Sequence, residues 1–290
     1  MPSELSPRPH EAREKPYSIK KLLVAHDLSD AANRALTEAQ FLADRFSADL
    51  VVAHIQSPEP GAPPESGPSH LKIQKLTTAL KDRGHRLRAS VRTESDAASI
   101  AEIVAEEAPD LLLLGAYGHG SQIRETLGST AERLLRSIPC PVLIYGPHVS
   151  RSLAEAKGEI SILLAVELPF NPVHLEFAVD IAHLFGARLE VLHVVDTSRT
   201  MSFPHAYQDA QFACEEIGRH LEGGKAQVSA SLLFGNPPDA ITARSRELGN
   251  SLIIIPLDTR RYLSSRTSDN VAAKVIRKAE VPVMTYRFDI

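Results

Sequence analysis

Short apolar runs alternate along this chain with longer stretches in which apolar residues recur every three or four positions. In the first half the runs fall at Lys21–His26, Leu50–Ile55, Arg86–Val91, Leu111–Gly115 and Val142–Tyr145. They are bounded by polar or glycine-containing segments and read as strands. Helical spacing occupies Ala31–Phe46, Leu71–Arg83, Ala97–Glu107 and Ser129–Ser137. In the first of these, Ala35, Ala39, Leu42 and Phe46 share one apolar face. The first and fourth runs are apolar without alternation, as expected of parallel strands covered by helices on both faces. Strand–helix alternation of this kind predicts an α/β, doubly wound sandwich of the Rossmann-like type, with mostly parallel strands. In such a sheet ligands bind beyond the carboxyl ends of the strands, where the strand order reverses.

The pattern is written twice. Ile19–Asp27 is echoed by Ile160–Glu167, the stretch ending at His54 by the one ending at His193, Asp110–Gly115 by Ser251–Pro256, and Pro141–Tyr145 by Pro282–Tyr286, at offsets of 139 to 141 residues. The chain is therefore a tandem duplication of two five-stranded domains. The organisation expected is a disordered tail at 1–17, a first domain at 18–147, a linker at 148–158 and a second domain at 159–290. Pro141–Tyr145 and Pro282–Tyr286 are edge-strand candidates, and unpaired edges need partners. Pairing of one copy with the other inside the chain gives a pseudo-dimer; a further homodimer stays open. The Pro- and Gly-rich Ser57–Ser69 reads as a solvated insertion, with a lid as the alternative.

Composition narrows the function. Hydrophobic residues make up 43% and charged residues 23% of the 290, the balance of a globular protein, and the net charge is −4. A nucleic-acid binder would carry a basic excess, and with no Trp and 5% aromatics there is little for bases to stack on. Nucleic acid is therefore not the expected partner. No run approaches a membrane span and the first residues lack the apolar core of a secretory signal, so the expected place is the cytoplasm. Cys140 and Cys214 belong to no CxxC pair or metal-spaced cluster, so no metal site is expected and both read as small apolar residues.

The candidate chemistry lies after the fourth run. Gly115-Ala-Tyr-Gly118-His119 continues to Gly128-Ser129-Thr130 as G-x2-G-x9-G-S and leads into a helix. Glycines leave backbone N–H groups open to an anion, and a helix N-terminus adds unpaired N–H groups and partial positive charge. Ser129 and Thr130 can cap the helix or offer hydroxyls to phosphate. The motif is not a Walker loop, since no Gly-Lys-Ser/Thr follows. A turn with no ligand is the alternative that the spacing alone leaves open. Asp27 ends the first strand and Gly115 the fourth, so both can reach the same crevice.

These residues resemble the universal stress protein family in tandem form. The match rests on Val-Ala-His-Asp27, Ala-His54-Ile55, the glycine motif and Pro-Cys-Pro-Val-Leu-Ile-Tyr145, with Phe234-Gly-Asn-Pro-Pro-Asp-Ala-Ile241 in the second copy. The resemblance implies ATP as ligand of the first copy, alone or with Mg2+, and a role in stress response. It assigns Asp27 to the nucleoside, Ile55 to adenine, and Gly115, Gly118, Gly128, Ser129 and Thr130 to the phosphates, with His119 inside the loop. In the second copy Pro256, Thr259, Asp269 and Asn270 replace Gly115, Gly118, Gly128 and Ser129, and Glu167 replaces Asp27. Proline removes a donor and Asp269 would repel phosphate, so that copy is expected not to bind ATP in this way. His54 and His193 occupy matching positions and are expected to anchor strand ends. No nucleophile elbow or triad pattern is present, so binding is expected rather than turnover, with slow hydrolysis or adenylate formation as the enzyme alternatives. A nucleotide-independent adaptor is the remaining alternative, and a regulatory protein partner is left unidentified.

Overall fold

The structure is a computed structural model that describes residues 16–56, 75–76, 78–80, 86–91, 96–117, 127–156, 159–168, 172–198, 207–208, 211–212, 227–257 and 270–287. In the first domain β1 (Lys21–Ala25), α1 (Asp30–Phe46), β2 (Asp49–Gln56), β3 (Arg86–Val91), α2 (Asp96–Glu107), β4 (Leu111–Gly115), α3 (Ser129–Ser137) and β5 (Val142–Tyr145) follow in order. The second repeats the scheme with β6 (Ser161–Val166), α4 (Pro172–Phe185), β7 (Arg188–Asp196), β8 (Val228–Gly235), α5 (Pro237–Glu247), β9 (Leu252–Pro256), α6 (Val271–Lys278) and β10 (Val283–Tyr286). Of the helix expected over 71–83, residues 75–76 and 78–80 are described, and they are helical. The Ser57–Ser69 segment and the Asp269 position lie outside the described residues.

The strands form one ten-stranded sheet in the order β3-β2-β1-β4-β5-β10-β9-β6-β7-β8. Within each half every pairing is parallel, and the order reverses between β1 and β4 and again between β6 and β9. The single antiparallel pairing among these strands is β5 with β10, where Val283 faces Ile144 and Thr285 faces Val142. The expected pairing of one copy with the other is thus made by these last strands.

Because the sheet is continuous, each of its faces carries a core that runs through both domains. One face joins Leu42 and Leu36 of α1 to Phe177, Ile181 and Phe185 of α4. The other joins Leu134 and Leu135 of α3 to Val275 and Ile276 of α6. Leu22, Leu23, Leu111, Leu112, Leu163 and Ile254 are fully buried, each contributing about 1.5–3 kcal/mol in apolar transfer.

One boundary among the connecting segments is revised. Tyr17 is not part of a disordered tail: its N–H donates to Asp180 Oδ2 of α4 at 2.9 Å, and its ring meets Phe177 edge-on at 5.1 Å. An aromatic ring with an apolar surface to cover outweighs the charged, Pro-rich run before it. The segment between the domains is also anchored, with Leu153 buried at 1% exposure and Val149 at 8%.

Candidate functional site

The candidate site lies where β1 and β4, neighbours in the sheet, both end. His26 N–H donates to Ala53 O at 2.8 Å, which continues the β1–β2 pairing one residue past β1. The His26 ring is buried; its Nδ1 accepts the Leu28 N–H at 3.2 Å, so Nε2 carries the proton and donates to Asn33 Oδ1 at 3.1 Å. Burial holds this imidazole below its usual pKa and so in the neutral form, although Asn33 and Asp27 pull the other way. Leu28 adopts φ 67, an uncommon conformation for a branched side chain. The turn delivers Asp27 as an exposed carboxylate whose Oδ1 accepts the Ser29 N–H at 3.0 Å. Ser29 in turn caps α1 by accepting from Ala32 N–H at 3.2 Å.

His54 holds this turn from β2. A carbonyl only accepts, so Nδ1 carries the proton and donates to His26 O at 2.6 Å. The second domain repeats the bond, His193 Nδ1 to Val166 O at 3.0 Å. Both histidines therefore anchor strand ends, as their recurrence suggested. The sequence reading passed over His26, Leu28 and Asn33; the polar His between an apolar strand and Asp27 was the available signal.

Beside β1, β4 ends at Gly115. A Cβ there would lie 2.8 Å from Ala31 Cβ, so the glycine admits the first turn of α1 against the strand. The chain continues through buried Ala116, whose N–H bonds Tyr145 O at 2.9 Å. It returns at Gly128, whose N–H donates to Ala116 O at 2.9 Å and closes the glycine motif at its base. A Cβ on Gly128 would stand 3.0 Å from that same carbonyl. Gly128 is the N-cap of α3 and provides no side-chain cap for the leading N–H groups. Ser129 is exposed and Thr130 half-buried at this helix start. Asp27, Gly115, Gly128, Ser129 and Thr130 thus all lie at the carboxyl edge of the β1–β4 part of the sheet. Ile55 is placed by register on β2, opposite Ser90 of β3. Gly118 and His119 lie outside the described residues.

The second domain differs at the same points. Pro256 pairs with Tyr286 as Gly115 pairs with Tyr145, and Leu257 N–H bonds Tyr286 O at 2.9 Å as Ala116 bonds Tyr145. Its helix start is filled from within: Asn270 caps α6 by accepting from Ala272 N–H at 2.8 Å and Ala273 N–H at 3.3 Å. Glu167 is exposed.

Two side groups complete the surroundings. Burial raises the pKa of Tyr117 in the first domain, and the Arg277 charge on α6 opposes the rise. Cys140 packs on the apolar core, and burial pushes its thiol up to about 12. An unreactive small apolar residue is what the sequence indicated; Cys214 lies outside the described residues. No described helix is long and apolar enough to cross a membrane.

The model of the universal stress protein family matches residues 18–146 and again 161–287. A universal stress protein of Thermus aquaticus is 29% identical over 134 residues, 43% of this chain and 98% of that protein. One from Synechocystis is 32% identical over 185 residues, 61% of this chain and 58% of its own length. Among solved structures, a Pseudomonas aeruginosa protein described as functionally unknown covers 94% of both chains with a TM-score of 0.67 at 21% identity, a likeness of fold. Both halves match one family model and share one strand order, and the chain belongs to the universal stress protein family as a tandem of two domains.

Proposed function

We propose that the first domain binds ATP, free or with Mg2+, and that the chain acts as a nucleotide-dependent regulator of a stress response. The second domain then serves as a structural or regulatory half that does not hold ATP in the same manner. The observation that carries this reading is the contrast between the two helix starts. α3 opens on Gly128 with no side-chain cap, whereas Asn270 occupies the equivalent N–H groups of α6. An uncapped helix N-terminus favours phosphate through its N–H groups and partial positive charge. Asp27 offers an exposed acceptor for ribose hydroxyls or the adenine amine. Ile55 would pack on the base, and Gly115, Gly118, His119, Ser129 and Thr130 would line the phosphates.

Calorimetric titration of the full chain with ATP tests the reading, beside Gly128→Asp. The substitution sets a negative charge at the helix start and a Cβ 3.0 Å from Ala116 O. One ATP per chain, lost in a variant that still melts cooperatively, is the expected result. Two ATP per chain would overturn the division of roles. No binding by the parent protein would replace the reading with a nucleotide-independent adaptor.

A further inference from the structure

α1 buries one acid in an otherwise apolar face. Glu38 is 0% exposed and sits against the segment that joins the two domains. Its Oε2 accepts the Leu153 N–H at 3.1 Å and its Oε1 accepts the Ala154 N–H at 3.0 Å. Both carboxylate oxygens are therefore committed to consecutive amides of the linker. Beside the carboxyl lies the fully buried hydroxyl of Tyr145, the last residue of β5, which bears on the Glu38 carboxylate as a donor and has no other partner among the described residues.

The second repeat shows that this position does not require an acid. At the offset of 139 that relates Phe46 to Phe185 and His54 to His193, Glu38 corresponds to Phe177. Phe177 packs on Tyr286, the counterpart of Tyr145, with ring centroids 4.2 Å apart. Burying a carboxylate is costly unless it is well bonded, and an aromatic ring meets the packing demand without that cost. The charged groups on the surrounding elements do not offset it. Lys21 on β1 pairs with Glu107, Arg151 on the linker pairs with Glu280, Glu155 is exposed, and Asp180 on α4 accepts from Tyr17. His26 beyond β1 is bonded to Asn33. The groups that bear on Glu38 are Tyr145, Ser152 and the two linker amides.

We infer that Glu38 is a proton-operated latch on the linker: as a carboxylate it grips Leu153 and Ala154, and on taking up one proton from water it donates to the Tyr145 hydroxyl and releases one of the two amides. Deprotonated, the group accepts through two oxygens; protonated, one oxygen becomes a donor, and the Tyr145 hydroxyl beside it can turn from donor to acceptor. Burial is the main cause that raises this carboxyl to about 7, against the hydrogen bonds that pull it down, so the exchange falls near neutral pH. The linker has room to respond. Its turn at Arg151, Ser152, Glu155 and Ala156 borders an open cavity of about 220 Å3 shared with Asn250. The inference stands whether or not the first domain binds ATP.

The test is amide hydrogen exchange of the full chain at about pH 6 and pH 8, corrected for intrinsic rates, with a parallel carboxyl NMR titration of Glu38. Protection at Leu153 and Ala154 should fall about tenfold at the lower pH and follow the Glu38 titration, as loss of one hydrogen bond implies. Glu38→Gln, and Glu38→Met should the amide variant fold poorly, should show low protection that does not change with pH. A Glu38 midpoint near that of an exposed carboxyl would overturn the latch. So would protection that ignores pH in the parent chain, or that still follows it in the variants.

Discussion

Gly115, proposed for the ligand loop, has a structural task of its own. Its missing Cβ admits Ala31, so Gly115→Ala forces the first turn of α1 outward. A loss of about 1–3 kcal/mol is expected in denaturant melts, the usual cost of overpacking. His54→Ala leaves the His26 carbonyl without its donor and should cost about 1–3 kcal/mol. Glu38 sets a pH dependence whose sign is opposite to that of a salt-bridged acid. Its carboxyl is raised in the folded chain to about 7, from 4.5 when exposed, so folding takes up a proton between these values. Its contribution to stability is fully present below about pH 4.5 and is lost as pH rises through about 7. Urea midpoints of the parent and Glu38→Gln should therefore diverge across that window, the parent falling relative to the variant. Much at this scale was legible. The histidines declared themselves by repeating, and the glycines by their spacing. Glu38 did not, because an acid one turn from apolar neighbours looks the same in sequence whether it faces water or a linker.

Helix starts carry the difference between the two halves. α3 begins on a glycine and α6 on an asparagine that bonds two of its own N–H groups. Asn270→Ala should cost about 1 kcal/mol by removing that cap, measured as a shift in thermal midpoint. Ser129→Ala should leave stability near its parent value, since Gly128 rather than Ser129 holds the cap position. Element positions were readable because buried parallel strands make uninterrupted apolar runs and the helices between them keep a regular spacing. The crevice turn was less so. The bonds of His26 to Leu28 and Asn33 span two and seven residues, and the one cue to them was a polar His set between an apolar strand and Asp27.

The two domains are locked to one another at more than the β5–β10 pair. Arg287, just past β10, donates to the Arg136 and Ile138 carbonyls at the end of α3, the second at 2.9 Å. At the matching place after β5, Gly146 lies so close to α6 that a Cβ would come within 2.1 Å of Ile276 O. Gly146→Ala should therefore separate the halves. Fluorescence and circular dichroism melts of the variant should no longer coincide, where the parent gives coincident transitions. The sequence indicated that the final strands would meet, since each reads as the edge strand of its own half, paired there on one side alone. It did not indicate Tyr17 on α4 or Gly146 on α6, because such fits depend on how two finished surfaces come together.

Joining β5 to β10 inside one polypeptide changes how the joint responds to dilution. Two separate chains held by such a strand pair come apart as they are diluted, and their melting temperature falls with concentration. Here both strands are tied through a segment that is itself packed down at Leu153. The partner is present at a fixed local concentration that no change of volume alters, so the joint persists as readily in a scarce protein as in an abundant one.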